Sequence, residues 1–148
     1  MSTAPDVATP WHRLLAPPTT SWPRTIARLL LGAALLLAGT GHLTFQRLEF
    51  AAQVPRWLPL DADFVVVASG VVELLLGASL VLLGRWRVLV GVVVAAFFVA
   101  IFPGNINQLV NGIDAFGLNS DSARATRLLF QPVLVLWALW STGALRRP

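Results

Sequence analysis

The chain has 148 residues, of which 56% are hydrophobic and only 12% charged, and its 11 basic and 7 acidic residues give a net charge of +4. Soluble domains carry about 25% charged residues, so this chain has too few polar side chains to cover a water-exposed surface. That deficit excludes an ordinary soluble enzyme and a disordered protein. The absence of cysteine excludes disulfides, thiolate metal sites and dithiol exchange within the chain.

The basic residues are all arginine and are scattered between apolar blocks rather than gathered in one stripe. A nucleic-acid partner is therefore not predicted, despite the basic balance. The distribution of arginine is better interpreted as a signal of membrane topology. We predict that most of the chain is surrounded by the lipid bilayer.

Residues 1–24 are rich in proline, threonine and serine. This composition breaks helices and cannot build a core, so we predict a partly disordered cytoplasmic tail. The apolar run that follows is too long for the hydrophobic region of a cleavable signal peptide. We therefore do not interpret the start of the chain as a secretion signal.

Four apolar blocks follow, and they predict membrane spans over about residues 26–45, 64–83, 88–107 and 126–145. A span needs about 20 residues, and the third block reaches that length only by running through Pro103 to Asn107. The very short connection at Arg85–Arg87 makes the second and third helices antiparallel neighbours. The sequence thus predicts an all-α fold, a polytopic four-helix membrane bundle over residues 25–145.

Arginine is unevenly divided between the two sides of these spans. Seven arginines lie in the tail, the second connection and the C-terminal segment, and four lie in the other two connections. Cytoplasmic loops carry the excess of positive charge. Both termini are therefore predicted to be cytoplasmic, with segments 44–63 and about 105–126 facing outward.

Glu73 lies roughly 13 Å along the second predicted helix, among valine and leucine residues. Placing an acidic side chain there costs about 2.5–3.5 kcal/mol, so it must be partnered, protonated or functional. Two interpretations stay open: a carboxylate that handles protons or binds a ligand, and a structural residue that pins one helix to another. Arg127, at the start of the fourth helix, is the candidate counter-charge, or its guanidinium simply extends to the interface.

Gln131 lies one turn deeper than Arg127, where an amide needs hydrogen-bond partners. It can form a polar wall next to Pro132, which removes a helix hydrogen bond. Interhelical hydrogen bonding is the favoured interpretation. His42, at the outer end of the first helix, is either a proton shuttle or donor to a quinone carbonyl, or an ordinary interfacial residue.

Asn105 and Asn107 follow a predicted break of the third helix at Pro103. We interpret Asn107 as the start of a loop after a helix C-cap, and the role of Asn105 stays open between a cavity and a cap. No metal site is predicted from a single histidine and one buried carboxylate. A haem with two histidine ligands is not expected either, because His12 lies in the tail on the opposite side.

Small residues recur one helical turn apart at three places. Such steps allow helices to approach closely, so we interpret them mainly as packing faces. They are Ala34/Ala38/His42, Ser69/Glu73/Gly77 and Ala96/Ala100/Gly104.

Five short motifs occur in order along the predicted spans. They are Gly41-His42 with Phe45, Val54-Pro55-Arg56-Trp57-Leu58-Pro59, Ser69-Gly70-Val71-Val72-Glu73, Phe102-Pro103-Gly104-Asn105-Ile106, and Arg127-Leu128-Leu129-Phe130-Gln131 with Trp137. This series resembles the DoxX family of small four-helix integral membrane proteins, over about residues 25–143. The resemblance implies a multi-pass protein of the bacterial cytoplasmic membrane. The candidate ligand- or proton-binding residues on its motif positions are His42, Glu73, Asn105, Arg127 and Gln131.

Members of the DoxX family resemble membrane subunits of thiosulfate:quinone oxidoreductase and of other redox complexes, and a distant eukaryotic branch resembles receptor-assembly chaperones. The resemblance implies an accessory subunit that binds a lipophilic ligand such as a quinone, or a membrane partner in a redox complex. A homo-oligomer is also compatible with such short spans. Catalysis by the isolated chain is not expected, because it lacks cysteine. Two other classes stay open: a small proton-coupled transporter and a membrane-protein assembly factor.

Overall fold

The computed structural model describes residue 14 and residues 19–146 of the chain. The prediction of an all-α fold is confirmed, because residues 19–146 contain helices and no strand, apart from an isolated bridge between Ala115 and Leu118. Residues 1–13 and 15–18 of the predicted tail lie outside the described residues, and His12 is among them. The helices are α1 (Trp22–Leu43), α2 (Arg47–Gln53), α3 (Ala62–Leu82), α4 (Arg87–Ala100), α5 (Phe102–Val110) and α6 (Asp121–Thr142).

The ends of these helices follow local sequence signals. Pro23 lies in the first turn of α1, where its missing N–H costs nothing, so the helix begins inside the segment predicted as tail. The side chains of Asp61 and Ser120 accept hydrogen bonds from backbone N–H groups in the first turns of α3 and α6. Gly143 ends α6 with a φ of 88°, a left-handed conformation that glycine adopts without strain.

The third apolar block is divided into two helices. α4 ends at Ala100, and α5 begins at Phe102. Pro103 has no N–H to donate to the preceding turn, so the helix is interrupted, but proline is well tolerated in the first turn of the new helix. The interpretation of Asn107 as the start of a loop is therefore wrong, and both Asn105 and Asn107 lie within α5.

Three helical segments are long and apolar enough to cross a membrane: Trp22–Leu43, Ala62–Leu82 and the 27-residue stretch Gly84–Val110. Large hydrophobic side chains cover much of the outer surface. α6 shows the same distribution, with Leu129 72% and Leu136 57% exposed while Gln131 is 2% exposed. Apolar residues outside and polar residues inside are the arrangement expected where the surrounding medium is lipid.

α1 packs against α3 through glycines. A Cβ placed on Gly39 would lie 2.8 Å from the Gly70 carbonyl oxygen, and one on Gly77 would lie 2.8 Å from that of Gly32. Backbones this close leave no room for a side chain, which is the packing mode that small residues permit between membrane helices. α4 and α6 meet similarly, because a Cβ on Gly91 would lie 1.9 Å from Thr142 Oγ1.

The buried apolar core lies between α1, α3, α4 and α6. Its members come from all four helices and are Leu31, Leu35, Leu80, Val90, Val94, Ala95, Phe98 and Ala138. The core leaves the α2 end of the helices unfilled. The polar residues singled out in the sequence lie at that end.

Candidate functional site

A cavity of about 490 Å³ lies among α1, α3, α4, α5 and α6, and α2 and the segment after it contribute its remaining wall. Volumes of about 300–1,000 Å³ are typical of small-molecule sites. Most of the lining side chains are apolar. All five candidate residues from the sequence nevertheless line this cavity: His42, Glu73, Asn105, Arg127 and Gln131.

The predicted small-residue faces lie largely on the cavity wall. The cavity is lined by Ala34 and Ala38 on α1, Ser69 on α3, Ala100 on α4 and Gly104 on α5. Two members also lie at close helix contacts, because a Cβ on Gly77 would be 2.8 Å from the Gly32 carbonyl oxygen and a Cβ on Gly70 would be 2.7 Å from His42 Cβ. These faces therefore combine packing with a share of the cavity wall.

Glu73 and His42 form a buried pair across α1 and α3. His42 Nδ1 lies 2.8 Å from Glu73 Oε2 and 3.0 Å from the Ala38 carbonyl oxygen. His42 is 7% exposed and Glu73 is 5% exposed. A carbonyl oxygen can only accept, so the contact with Ala38 requires that Nδ1 carry a hydrogen.

Glu73 Oε2 has no well-aligned hydrogen-bond donor among the described residues, although His42 Nδ1 lies only 2.8 Å away. The two observations are compatible, because Coulomb attraction needs only proximity whereas a hydrogen bond needs alignment. The expected counter-charge, Arg127, lines the same cavity but forms no salt bridge with Glu73 in the described part of the chain. The partner of Glu73 is therefore His42.

Aromatic rings hold the imidazole in place. Phe50 on α2 stacks on His42 with ring centroids 3.3 Å apart and planes 15° apart, and Phe116 meets Phe50 edge-on at 4.7 Å. Phe116 has a φ of 56°, and its N–H donates to Glu49 Oε2 at 3.2 Å. These contacts join α2 and the α5–α6 loop to the buried pair. Neither phenylalanine was predicted as a site residue, because Phe50 lies on a separate helix and Phe116 in a loop, and only the tertiary structure brings them to His42.

Gln131 joins three helical segments at the opposite wall. Its Nε2 donates to the Phe98 carbonyl oxygen at 2.7 Å, next to the break between α4 and α5. Its Oε1 accepts from Asn105 Nδ2 at 3.0 Å and from Arg127 Nη1 at 3.4 Å. Gln131 is thus an interhelical tie, and it fixes two donor-bearing side chains against the cavity.

α2 is fastened to α5 by amide side chains. Gln53 Nε2 donates to Gln108 Oε1 at 2.5 Å, and Asn107 Nδ2 donates to the Gln53 carbonyl oxygen at 3.1 Å. Arg47, at the start of α2, donates to both carboxylate oxygens of Asp63 at 2.6 and 2.5 Å. Those hydrogen bonds raise the pKa of the Arg47 guanidinium above its usual value. The result is a polar cover over an apolar cavity.

The site offers a carboxylate paired with a histidine and several N–H donors at the polar end of an otherwise apolar space. Among the described residues, no group of three acidic or histidine side chains is close enough to hold a metal ion. His42 and Glu73 supply only two such ligands. The arrangement suits a small molecule that has an apolar body and a head group with both hydrogen-bond donors and acceptors.

Comparison with known proteins gives one family. No curated protein and no solved structure matches the sequence significantly. A family model described as a domain of unknown function, DUF8561, matches residues 31–142. The matched segment contains all five candidate residues and all six helices, apart from the first turns of α1. The chain therefore belongs to the DUF8561 family.

Proposed function

We propose that this protein is a DoxX-like accessory membrane subunit that binds a lipophilic molecule with a polar head in the cavity between its helices. The observation that carries the proposal is the buried His42–Glu73 pair, which lies with Asn105, Arg127 and Gln131 on the wall of one otherwise apolar cavity. A ligand head group that hydrogen-bonds to these side chains would offset the cost of keeping polar groups in an apolar space.

The proposal includes a fourth membrane span. α6 is 22 residues long and exposes Leu129 and Leu136 while it buries Gln131. The helix meets the length that a span of about 20 residues requires. Of its polar residues, Arg124, Gln131, Ser141 and Thr142 are buried, whereas the exposed ones, Asp121, Ser122 and Thr126, lie in its first two turns. Four spans would form a bundle with both termini on one side, which the distribution of arginine makes the cytoplasmic side of a bacterial inner membrane.

A quinone is the ligand class we propose. Arg127 and Asn105 carry N–H donors suited to a quinone carbonyl, and the Glu73 carboxylate is suited to the hydroxyl of the reduced quinol. The flat ring finds an aromatic neighbour in Phe50, which also lines the cavity. The apolar walls suit an isoprenoid chain. The cavity volume of about 490 Å³ accommodates a substituted ring and the first part of such a chain.

The test is ligand-dependent thermal stability of the purified protein in detergent. A short-chain ubiquinone or menaquinone analogue, in its oxidised and reduced forms, should raise the Tm by several degrees at saturating concentration. Glu73→Gln should abolish the shift for the reduced form, and Arg127→Gln should abolish it for the oxidised form. Asp121→Asn, which neutralises an exposed carboxylate that does not line the cavity, should retain both shifts. No shift of the unsubstituted protein with either form would refute the quinone.

A second candidate is a proton-coupled transporter, favoured by the buried His42–Glu73 pair and by the helix break at Ile101 beside the cavity. Interrupted helices and buried titratable pairs are recurrent features of transporter sites. Proteoliposomes with an imposed pH gradient would show coupled flux of a candidate solute that is lost in Glu73→Gln. Flux that is unchanged in this variant would eliminate proton coupling through Glu73. A stoichiometric protein partner that co-purifies without any small molecule would instead indicate an assembly factor.

A further inference from the structure

Four arginines gather at the end of the helices remote from α2. Arg24 and Arg28 lie near the start of α1, Arg87 begins α4, and Arg146 follows the end of α6. We call these four residues the arginine cluster. Arg28 is 8% exposed and Arg87 is 7% exposed, so two of the four arginines are more than nine-tenths buried. Arg24 and Arg28 share α1, whereas Arg87 and Arg146 belong to other segments, so the cluster assembles only in the folded chain.

The arginine cluster has no carboxylate partner among the described residues. Of the seven acidic side chains, Asp6 lies outside the described residues and Glu73 lines the cavity. The remaining five acidic residues lie at the α2 end of the protein; they are Glu49, Asp61, Asp63, Asp114 and Asp121. The salt bridges observed at that end involve Arg47 and Arg124. Arg28 and Arg87 both reach carbonyl oxygens near the end of α3, so like charges lie at the same end of the helices.

The contacts of the arginine cluster with the protein are made to neutral groups. Arg28 Nη1 donates to the Leu80 carbonyl oxygen, and Arg87 Nη1 donates to the Gly84 carbonyl oxygen at 3.0 Å, both near the end of α3. The negative end of a helix dipole offsets only about half a charge. Arg24 lies with its guanidinium carbon 5.6 Å from the Trp140 ring centroid, and within residues 19–146 its buried Nη1 has no hydrogen-bond partner. The positive charge of the arginine cluster is thus not balanced by the protein groups it contacts, and some of its N–H donors remain without an acceptor among the described residues.

We propose that the arginine cluster binds a phosphate group, supplied by the head group of an anionic phospholipid. Guanidinium groups present their N–H donors in a planar fork that matches phosphate oxygens. The lipid is favoured over free phosphate because the cluster is bordered by exposed apolar side chains, including Trp22 (79% exposed) and Leu82 (76% exposed). A phosphate held there would bring acyl chains against these residues. Basic pockets between membrane helices are suited to such head groups.

This inference depends on the proposed membrane location and is independent of the ligand in the cavity. Its functional consequence is a fixed position for the protein in the leaflet that is richer in anionic lipid. The lipid would also join α1, the α3–α4 turn and the C-terminal segment, which the arginines contact separately. Bound lipid should therefore stabilise the tertiary structure as well as adhere to its surface.

The experiment compares three additives to the full-length protein in neutral detergent: phosphatidylglycerol, phosphatidylcholine and millimolar inorganic phosphate. We expect phosphatidylglycerol to raise the Tm well above the effect of the same amount of phosphatidylcholine, and native mass spectrometry should show one retained phosphatidylglycerol. Replacing Arg28 or Arg87 by Gln should weaken binding about fivefold each, as expected for an arginine at an anionic surface. Arg56→Gln, which removes an exposed arginine remote from the cluster, should leave binding unchanged.

Arg28→Lys and Arg87→Lys serve if the Gln variants do not fold, because they keep the charge and lose the planar fork. Weakened phosphatidylglycerol retention in the folded Lys variants would support the site. Equal shifts with phosphatidylglycerol and phosphatidylcholine, or retention unchanged in Arg28→Gln/Arg87→Gln, would overturn it. Inorganic phosphate that reproduces the full shift would overturn the lipid as the source. If a quinone still raises the Tm while phosphatidylglycerol has no effect, the lipid site is refuted and the proposed function stands.

Discussion

His42 Nδ1 on α1 lies 2.8 Å from Glu73 Oε2 on α3, and both side chains are more than nine-tenths buried. The pair lies at the wall of the cavity and is covered by the Phe50 ring. A buried carboxylate in a membrane helix needs a partner, and here that partner is the His42 imidazole. The relationship gives the first prediction about stability.

His42→Ala should destabilise the protein by about 3–5 kcal/mol, because it leaves the Glu73 carboxylate buried without its partner. Glu73→Gln alone should cost much less, since a neutral amide replaces the charge. The double variant His42→Ala/Glu73→Gln should be more stable than His42→Ala. Unfolding in a denaturing detergent, followed as a double-mutant cycle, measures this coupling. Additive effects of the two substitutions would show that the pair does not interact energetically.

Gly91→Ala should destabilise the contact between α4 and α6 by about 1–3 kcal/mol through overpacking. A Cβ at residue 91 would lie 1.9 Å from Thr142 Oγ1 and 2.6 Å from Thr142 Cβ, so the helices must move apart. Gly84→Ala is the matched control, because nothing lies within 4 Å of a Cβ at that position. A Tm for Gly91→Ala equal to that of the control would mean that the helices do not approach so closely.

Gln131→Leu should cost about 1–2 kcal/mol, since it removes bonds to the Phe98 carbonyl oxygen and to Asn105 Nδ2. Single interhelical hydrogen bonds in membranes average about 0.6 kcal/mol, and the loss leaves a buried amide without its acceptor. Asn111→Ala, at an exposed position where the side chain bonds only within its own helix, should cost far less. Thermal unfolding of the two variants side by side makes the comparison.

The absence of cysteine makes the proposed topology testable by single-cysteine labelling. Ser122→Cys, in the exposed first turn of α6, should react with a membrane-impermeant maleimide in intact cells. Arg85→Cys, in the exposed connection between α3 and α4, should react only after the membrane is opened. Labelling of Arg85→Cys from outside, with protection of Ser122→Cys, would reverse the orientation. Labelling of both from outside would contradict a membrane crossing by α4 and α5, which lie between the two positions.

Much of the architecture could be predicted from the sequence because the determining forces are local. Apolar runs of sufficient length predict helices in lipid, and each of the four apolar blocks lies in a helix. The need of Glu73 for a partner also follows from its surroundings in the chain. The five candidate residues line one cavity, since helix length and direction place them at similar depths. Pro103 predicted a break in the third helix, and the break is present, but the chain continues from it as a new helix, α5.

The tertiary structure decided which groups meet. Depth along a helix is set by residue number, whereas the partner of a side chain depends on how each helix is rotated and how closely its neighbours approach. Gly39 and Gly70 bring α1 and α3 together, and that approach puts His42 rather than Arg127 beside Glu73. The stacking of Phe50 depends equally on the return of α2. The sequence alone therefore determined a helical protein with buried polar groups, and only packing between helices turned those groups into a cavity with a particular pair at its wall.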